Sequence, residues 1–135
     1  MIVLDSSVLV GIIKGEHDAE ALLDLLIAEE CAIGAPTLAE VRAWCTINLA
    51  RRSSRWLEHF IDAGPASVVA FSREMADAAS GAFVTFGRAS GHPAKLNFGD
   101  CTVDAVALTL RAPLLFKGGD FGLTDVMAHP ASIRT

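Results

Sequence analysis

Apolar positions recur along this chain in two alternating rhythms. Ile2, Val3 and Leu4 form a short unbroken apolar run that ends on Asp5, Ser6 and Ser7. Such a run, with β-branched residues, suits a strand covered on both faces, although a buried helical segment has the same signature at this length. Val8, Leu9, Ile12 and Ile13 then return at helical spacing, so the chain is expected to turn at Asp5 to Ser7 and enter a helix capped by Ser6 or Ser7. Asp18 to Glu30 reads as an amphipathic helix with Ala21, Leu22, Leu25 and Leu26 on one stripe, and Cys31 to Ala35 as a buried strand stopped by Pro36. Helices follow at Thr37 to Leu49 and at Trp56 to Ala63, separated by the basic break Arg51 to Arg55 and closed by Gly64 and Pro65. Ser67 to Phe71 is the third predicted strand. Arg73 to Phe86 is a helix ended by Gly87, and Gly87 to Leu96 is a long polar loop. A last helix begins after Asn97, with Val103, Val106, Ala107 and Leu110 inward. Ala112 to Lys117 is the fourth strand, and Ala131 to Ile133 a weak edge strand in the tail.

Strands alternating with helices predict an α/β fold with a parallel sheet and helices on both faces. Residues 1–135 fit a single domain, long enough to bury roughly two-thirds of the surface its unfolded chain exposes. A hydrophobic fraction of 52% with 20% charged residues argues against disorder. Cys31, Cys45 and Cys101 are odd in number and widely spaced, which suggests neither a disulfide framework nor a thiolate zinc site, and a reducing cytoplasm is the expected setting. Met1 runs directly into the apolar strand with no basic n-region, and Asp5 interrupts the run, so no signal segment is expected. The most apolar stretch, Val103 to Phe116, is broken by Asp104 and Arg111, so no membrane span is expected and the protein reads as soluble.

The chemistry is carried by acids. Asp5 follows the first strand, Glu40 lies in the helix after the second, Asp100 opens a helix and Asp120 follows the fourth strand. In open α/β sheets ligands bind outside the carboxyl ends of the strands, so these four are expected to converge on one edge. Taken singly each has an ordinary role. Asp5 equally suits a helix cap, Glu40 stands three residues after Thr37 in the spacing of a capping box, Asp100 sits where a helix dipole welcomes any acid, and Asp120 lies in a Gly-Gly-Asp turn. Their coincidence at strand ends points instead to a cation held among like charges that would otherwise repel. Oxygen donors without His or Cys favour Mg²⁺ or Mn²⁺ over zinc. Asp104, one helical turn beyond Asp100, is either a further metal-facing acid or a solvated one.

With these residues in hand the chain resembles PIN-domain proteins, and among them the VapC-type toxins of bacterial toxin–antitoxin pairs. The similarity spans nearly the whole chain through Ile-Val-Leu-Asp-Ser-Ser at Ile2 to Ser7, Thr-Leu-Ala-Glu at Thr37 to Glu40, Leu-Asn-Phe-Gly-Asp-Cys at Leu96 to Cys101 and Pro-Leu-Leu-Phe-Lys-Gly-Gly-Asp-Phe at Pro113 to Phe121. The resemblance implies a three-layer sandwich around a mostly parallel sheet of four to five strands. It implies Asp5, Glu40, Asp100 and Asp120 as the catalytic and metal-binding quartet, with Ser6, Asn97 and Asp104 in support. Many relatives carry Thr-x-Asn or Thr-x-Asp after the fourth strand; here Phe116, Lys117 and Gly118 stand there, so that role falls to Asp120, alone or shared with Asp125. The implied activity is Mg²⁺- or Mn²⁺-dependent hydrolysis of RNA, such as tRNA or rRNA. The implied partners are a second copy of the chain and a VapB-type antitoxin.

The formal net charge of −5 speaks against a phosphate-rich partner until the four site acids are set aside, which leaves −1. Arg42, Arg88, Lys95 and Lys117 are then candidates to hold RNA phosphates, together with Arg51, Arg52 and Arg55, each equally at home as a solvated surface charge. A haloacid dehalogenase-type phosphatase needs a second Asp where Ser7 stands, and a receiver domain needs an Asp at the end of the third strand, where Ala70 and Phe71 stand. The alternative from a different class is a catalytically silent PIN-fold binding protein.

Overall fold

The computed structural model describes residues 1–133; the last two residues of the predicted tail lie outside the described residues. The elements are β1 (Ile2–Leu4), α1 (Ser6–Lys14), α2 (Ala19–Ala28), β2 (Cys31–Gly34), α3 (Ala35–Leu49), α4 (Arg55–Asp62), β3 (Ala66–Val69), α5 (Arg73–Phe86), α6 (Phe98–Leu110) and β4 (Leu114–Leu115). The strands form one sheet in the order β3-β2-β1-β4, and every neighbouring pair is parallel.

The sheet sorts its side chains by the two-residue period of a strand. Ile2, Leu4, Cys31, Ile33 and Leu115 face one way into a core shared with Val8 and Leu9 of α1, Leu26 of α2, Val41 of α3 and Leu57 of α4. Val3, Ala32, Leu114 and Phe116 face the other way, onto Met75 and Ala79 of α5 and Val103 and Val106 of α6. The result is a three-layer sandwich. Burying each of the larger side chains is worth about 1.5–3 kcal/mol, so the two cores rather than any cap hold the layers together. Leu22 and Leu26 of the α2 stripe are part of the first core.

The chain builds β1, β2 and β3 outward in one direction, then places β4 on the other side of β1. The order therefore reverses between β1 and β4, and the crevice beyond their carboxyl ends is where such sheets bind ligands. No fifth strand forms among the described residues. Instead the tail runs along the outer edge of β4, with Leu114 N–H donating to Met127 O at 2.8 Å and Ile133 N–H to Phe116 O at 2.9 Å. The predicted Ala131–Ile133 strand is reduced to one bridge, Ile133 opposite Lys117.

Pro36 does not stop β2 before a helix at Thr37. It sits in the first turn of α3, where a missing N–H costs nothing, and the helix starts at Ala35. The Gly87–Leu96 segment is pinned rather than loose: Arg88 N–H donates to Leu96 O, Leu96 N–H to Phe86 O, and Leu96 is wholly buried. No described helix is long and apolar enough to cross a membrane.

Candidate active site

Asp5 leaves the end of β1 and caps α1, its Oδ2 accepting from Ser7 N–H at 3.1 Å and from the Ser7 hydroxyl. The same hydroxyl accepts from the backbone N–H of Lys117 at 3.0 Å, which ties the end of β1 to the end of β4 at the switch point. Asp5 is therefore both a cap and a buried carboxylate, only 6% exposed. Burial raises its pKa, the bonds from Ser7 lower it, the nearby charge of Glu40 raises it again, and the net shift is upward.

Glu40 is not a capping residue. Because α3 begins at Ala35, Thr37 lies buried inside the first turn and Gly34 takes the cap position with no side-chain bond. The Glu40 carboxylate is free to reach α1, where it accepts from the Ser6 hydroxyl at 2.8 Å. Its other oxygen lies over the start of α6: a methyl group at Gly99 would stand 2.8 Å from Oε2. Gly99 thus leaves the room that the Glu40 carboxylate occupies.

Asp100 caps α6 reciprocally with Asn97. Asn97 N–H donates to Asp100 Oδ2 at 3.0 Å, and Asp100 N–H donates to Asn97 Oδ1 at 2.8 Å. The capping box turns the Asp100 carboxylate back toward the helix start. Burial pushes its pKa up to about 6, against the cap bonds, and the charges of Asp5, Asp120 and Glu40 add to the rise. Four acids from four separate segments therefore act on one another across the sheet edge. Asp120 arrives from the 3-10 turn Asp120–Leu123 beyond β4 and is exposed; the chain reaches it through Gly118, whose φ of +109° favours glycine.

Three predicted members stand apart. Asp104 is fully buried, and the charge that acts on it is that of Asp125, while the charges acting on Asp100 are those of Asp5, Asp120 and Glu40. The Lys117 ammonium is committed to Glu16 at 2.9 Å and Asp18 at 2.7 Å with its side chain 14% exposed, so it is not presented to a phosphate. Arg42 is paired with Glu58. Arg88 and Lys95 are exposed and make no ion pair among the described residues. The expected cap of α1 at Ser6 or Ser7 is instead Asp5, because both serines lie inside the helix and Ser7 donates to the Asp5 carboxylate. Gly99 was not singled out by sequence, although it adjoins a predicted acid in Gly-Asp.

An all-oxygen donor set of four carboxylates and a hydroxyl suits a hard divalent cation, whose charge would relieve the repulsion felt at Asp100. No group of three or more His, Cys, Asp or Glu side chains among the described residues stands at ligating spacing around one point.

The PIN domain family profile matches residues 2–126. The chain is 39% identical over 129 residues to a VapC ribonuclease of Mycobacterium bovis, covering 92% of this chain and 94% of the relative. It is 36% identical over 128 residues to the ribonuclease VapC of Mycolicibacterium smegmatis, covering 93% and 98%. Among solved structures, a toxin–antitoxin complex from Klebsiella pneumoniae superposes with a TM-score of 0.71 at 18% identity over 98% of this chain and 100% of the other. VapBC2 from Rickettsia felis, bound to a promoter DNA fragment, gives 0.68 at 17% identity over 100% and 98%. At such identities these two likenesses speak for the fold. The profile match and the sequence identities carry the assignment: the chain belongs to the PIN-domain family, alongside the VapC ribonucleases.

Proposed function

We propose that the protein is the toxin of a toxin–antitoxin pair, an Mg²⁺- or Mn²⁺-dependent endoribonuclease that a VapB-type antitoxin neutralises. The observation that carries this reading is the convergence beside the switch point of Asp5 bonded to Ser7, Glu40 bonded to Ser6 and Asp100 bonded to Asn97, with burial and then the charges of Asp5, Asp120 and Glu40 raising Asp100 to about 6. The relatives named as VapC ribonucleases and the neighbours solved as toxin–antitoxin complexes support the same reading.

In this mechanism Asp5, Glu40, Asp100 and Asp120 would hold the ion, which would supply Lewis acidity at the scissile phosphate and make water a stronger acid there. The chain's own work is positioning. Ser7 orients Asp5, Ser6 orients Glu40, and Asn97 fixes Asp100, so three carboxylates are aimed before substrate arrives. Arg88 and Lys95, like Arg51, Arg52 and Arg55, are exposed, make no ion pair among the described residues and are free to take RNA phosphates. The protein acts in the cytoplasm as a homodimer.

The competing reading, a silent PIN-fold binder, draws on the exposed position of Asp120 and the open spacing of the ligands. Induced expression in a bacterial host separates the two. Growth arrest by the native chain, its loss with Asp5→Asn, and relief by the small protein encoded beside it are expected. Arrest that persists unchanged with Asp5→Asn would overturn the nuclease reading.

A further inference from the structure

A cavity of about 300 Å³ lies between α5 and α6, away from the charges that act on Asp100. Ala82, Thr85 and Phe86 of α5, Asp104 and Leu108 of α6, and Asp125 of the tail line it. Asp104 is 0% exposed, and neither of its carboxylate oxygens has a hydrogen-bond partner. A buried carboxylate without a partner costs several kcal/mol, a cost that protein interiors normally avoid by pairing. Burial, with the charge of Asp125 beside it, lifts its pKa to about 6, which still leaves it mostly ionised at neutral pH.

Nothing described in the chain supplies the missing cation. On α5, Arg73 pairs with Asp77 at 3.9 Å. Arg111, at the end of α6, borders the adjoining cavity with Asp125 but makes no ion pair with it among the described residues. A metal ion is a poor match, because two carboxylates and the Thr85 hydroxyl are the only side-chain oxygens on walls that are otherwise apolar. Two unpartnered oxygens on one buried carboxylate fit the planar fork of a guanidinium, and apolar walls fit the alkyl stem behind it.

We propose that this cavity binds an alkyl guanidinium, which pairs its fork with both oxygens of Asp104, takes Asp125 at the rim and lays its stem against Ala82, Phe86 and Leu108. The site is independent of the nuclease reading. Its ligand is either a free guanidinium compound or the arginine side chain of a polypeptide, since both present the same group.

An NMR titration of the whole chain in EDTA tests it, with agmatine as the free compound and a blocked Gly-Arg-Gly peptide as the side-chain probe. Saturable shifts at the amides of Thr85, Asp104, Leu108 and Asp125 are expected, with affinity about tenfold or more lower in Asp104→Asn, as for loss of a charged hydrogen-bonding partner. Asp125→Asn, which changes only an exposed side chain, should weaken binding and keeps the test valid if the buried variant folds poorly. Binding of agmatine alone assigns a small molecule, and binding of both assigns an arginine side chain. No saturable shift at these amides, unchanged affinity in both variants, or displacement of agmatine by Mg²⁺ in an Asp5→Asn background would overturn the proposal.

Discussion

The buried carboxylate of Asp104 should make the protein less stable as pH rises, and replacing it should remove that dependence. Its pKa stands at about 6 in the folded chain against an ordinary aspartate value of 3.8, with burial the main cause and the Asp125 charge the second. The folded state therefore holds the proton more tightly than the unfolded one. Between those two values the native state binds more protons, so stability falls as pH rises through the window, and the contribution of the protonated Asp104 is gone above about 6. A difference of about two units at 1.36 kcal/mol each corresponds to about 3 kcal/mol at pH 7 and above. The side chain is completely buried, so solvent screening takes little from that figure. Asp104→Asn keeps the shape and the neutral character of the protonated acid. Urea unfolding in EDTA should show the variant more stable at pH 7.5 by about 2–3 kcal/mol, a midpoint displaced by roughly 1 M or more. The gap should close toward pH 4. A variant no more stable than the native chain at pH 7.5, or a gap that stays constant with pH, would refute the reasoning.

Three further outcomes follow from the same contacts. Gly99→Ala places a methyl group where Glu40 Oε2 now lies, so the carboxylate must swing away from Ser6; RNA cleavage should fall about tenfold or more while thermal stability changes little, measured by initial rates and melting. Lys117→Gln leaves Glu16 and Asp18 without their shared cation and should lower stability by about 1–3 kcal/mol in urea, more than it changes RNA affinity. Asn97→Ala removes the cap of α6 and should cost about 1 kcal/mol of stability together with a loss of activity, because the same bonds aim Asp100.

Much of the architecture was readable from the apolar rhythm because strands and helices here differ in period as well as length. The positions of Asp5 and Asp120 followed from where β1 and β4 had to end. Glu40 was harder. Its distance from Thr37 matches a capping box, but Pro36 starts α3 at Ala35 and carries Thr37 into the helix, a choice settled by the proline's fixed φ and missing N–H. Asp104 shares a helical face with Asp100 by spacing alone, yet the cap bonds bend Asp100 back to the helix start while Asp104 lines the α5–α6 cavity. Lys117 reads as a phosphate ligand until the fold brings Glu16 and Asp18, about a hundred residues away in sequence, onto its ammonium. Such pairings are long-range, and no local pattern announces them. Gly99 was silent for a related reason, since its role is the space it leaves for a side chain from another helix.

Cleavage of RNA by the purified chain, followed across Mg²⁺ and Mn²⁺ concentrations beside Asp100→Asn and an EDTA control, tests the central claim most directly. Cleavage that saturates with metal, disappears in EDTA and drops by at least about a hundredfold in Asp100→Asn is the predicted result. Cleavage that continues without metal, or that Asp100→Asn leaves unchanged, would contradict a carboxylate-held ion as the seat of the activity.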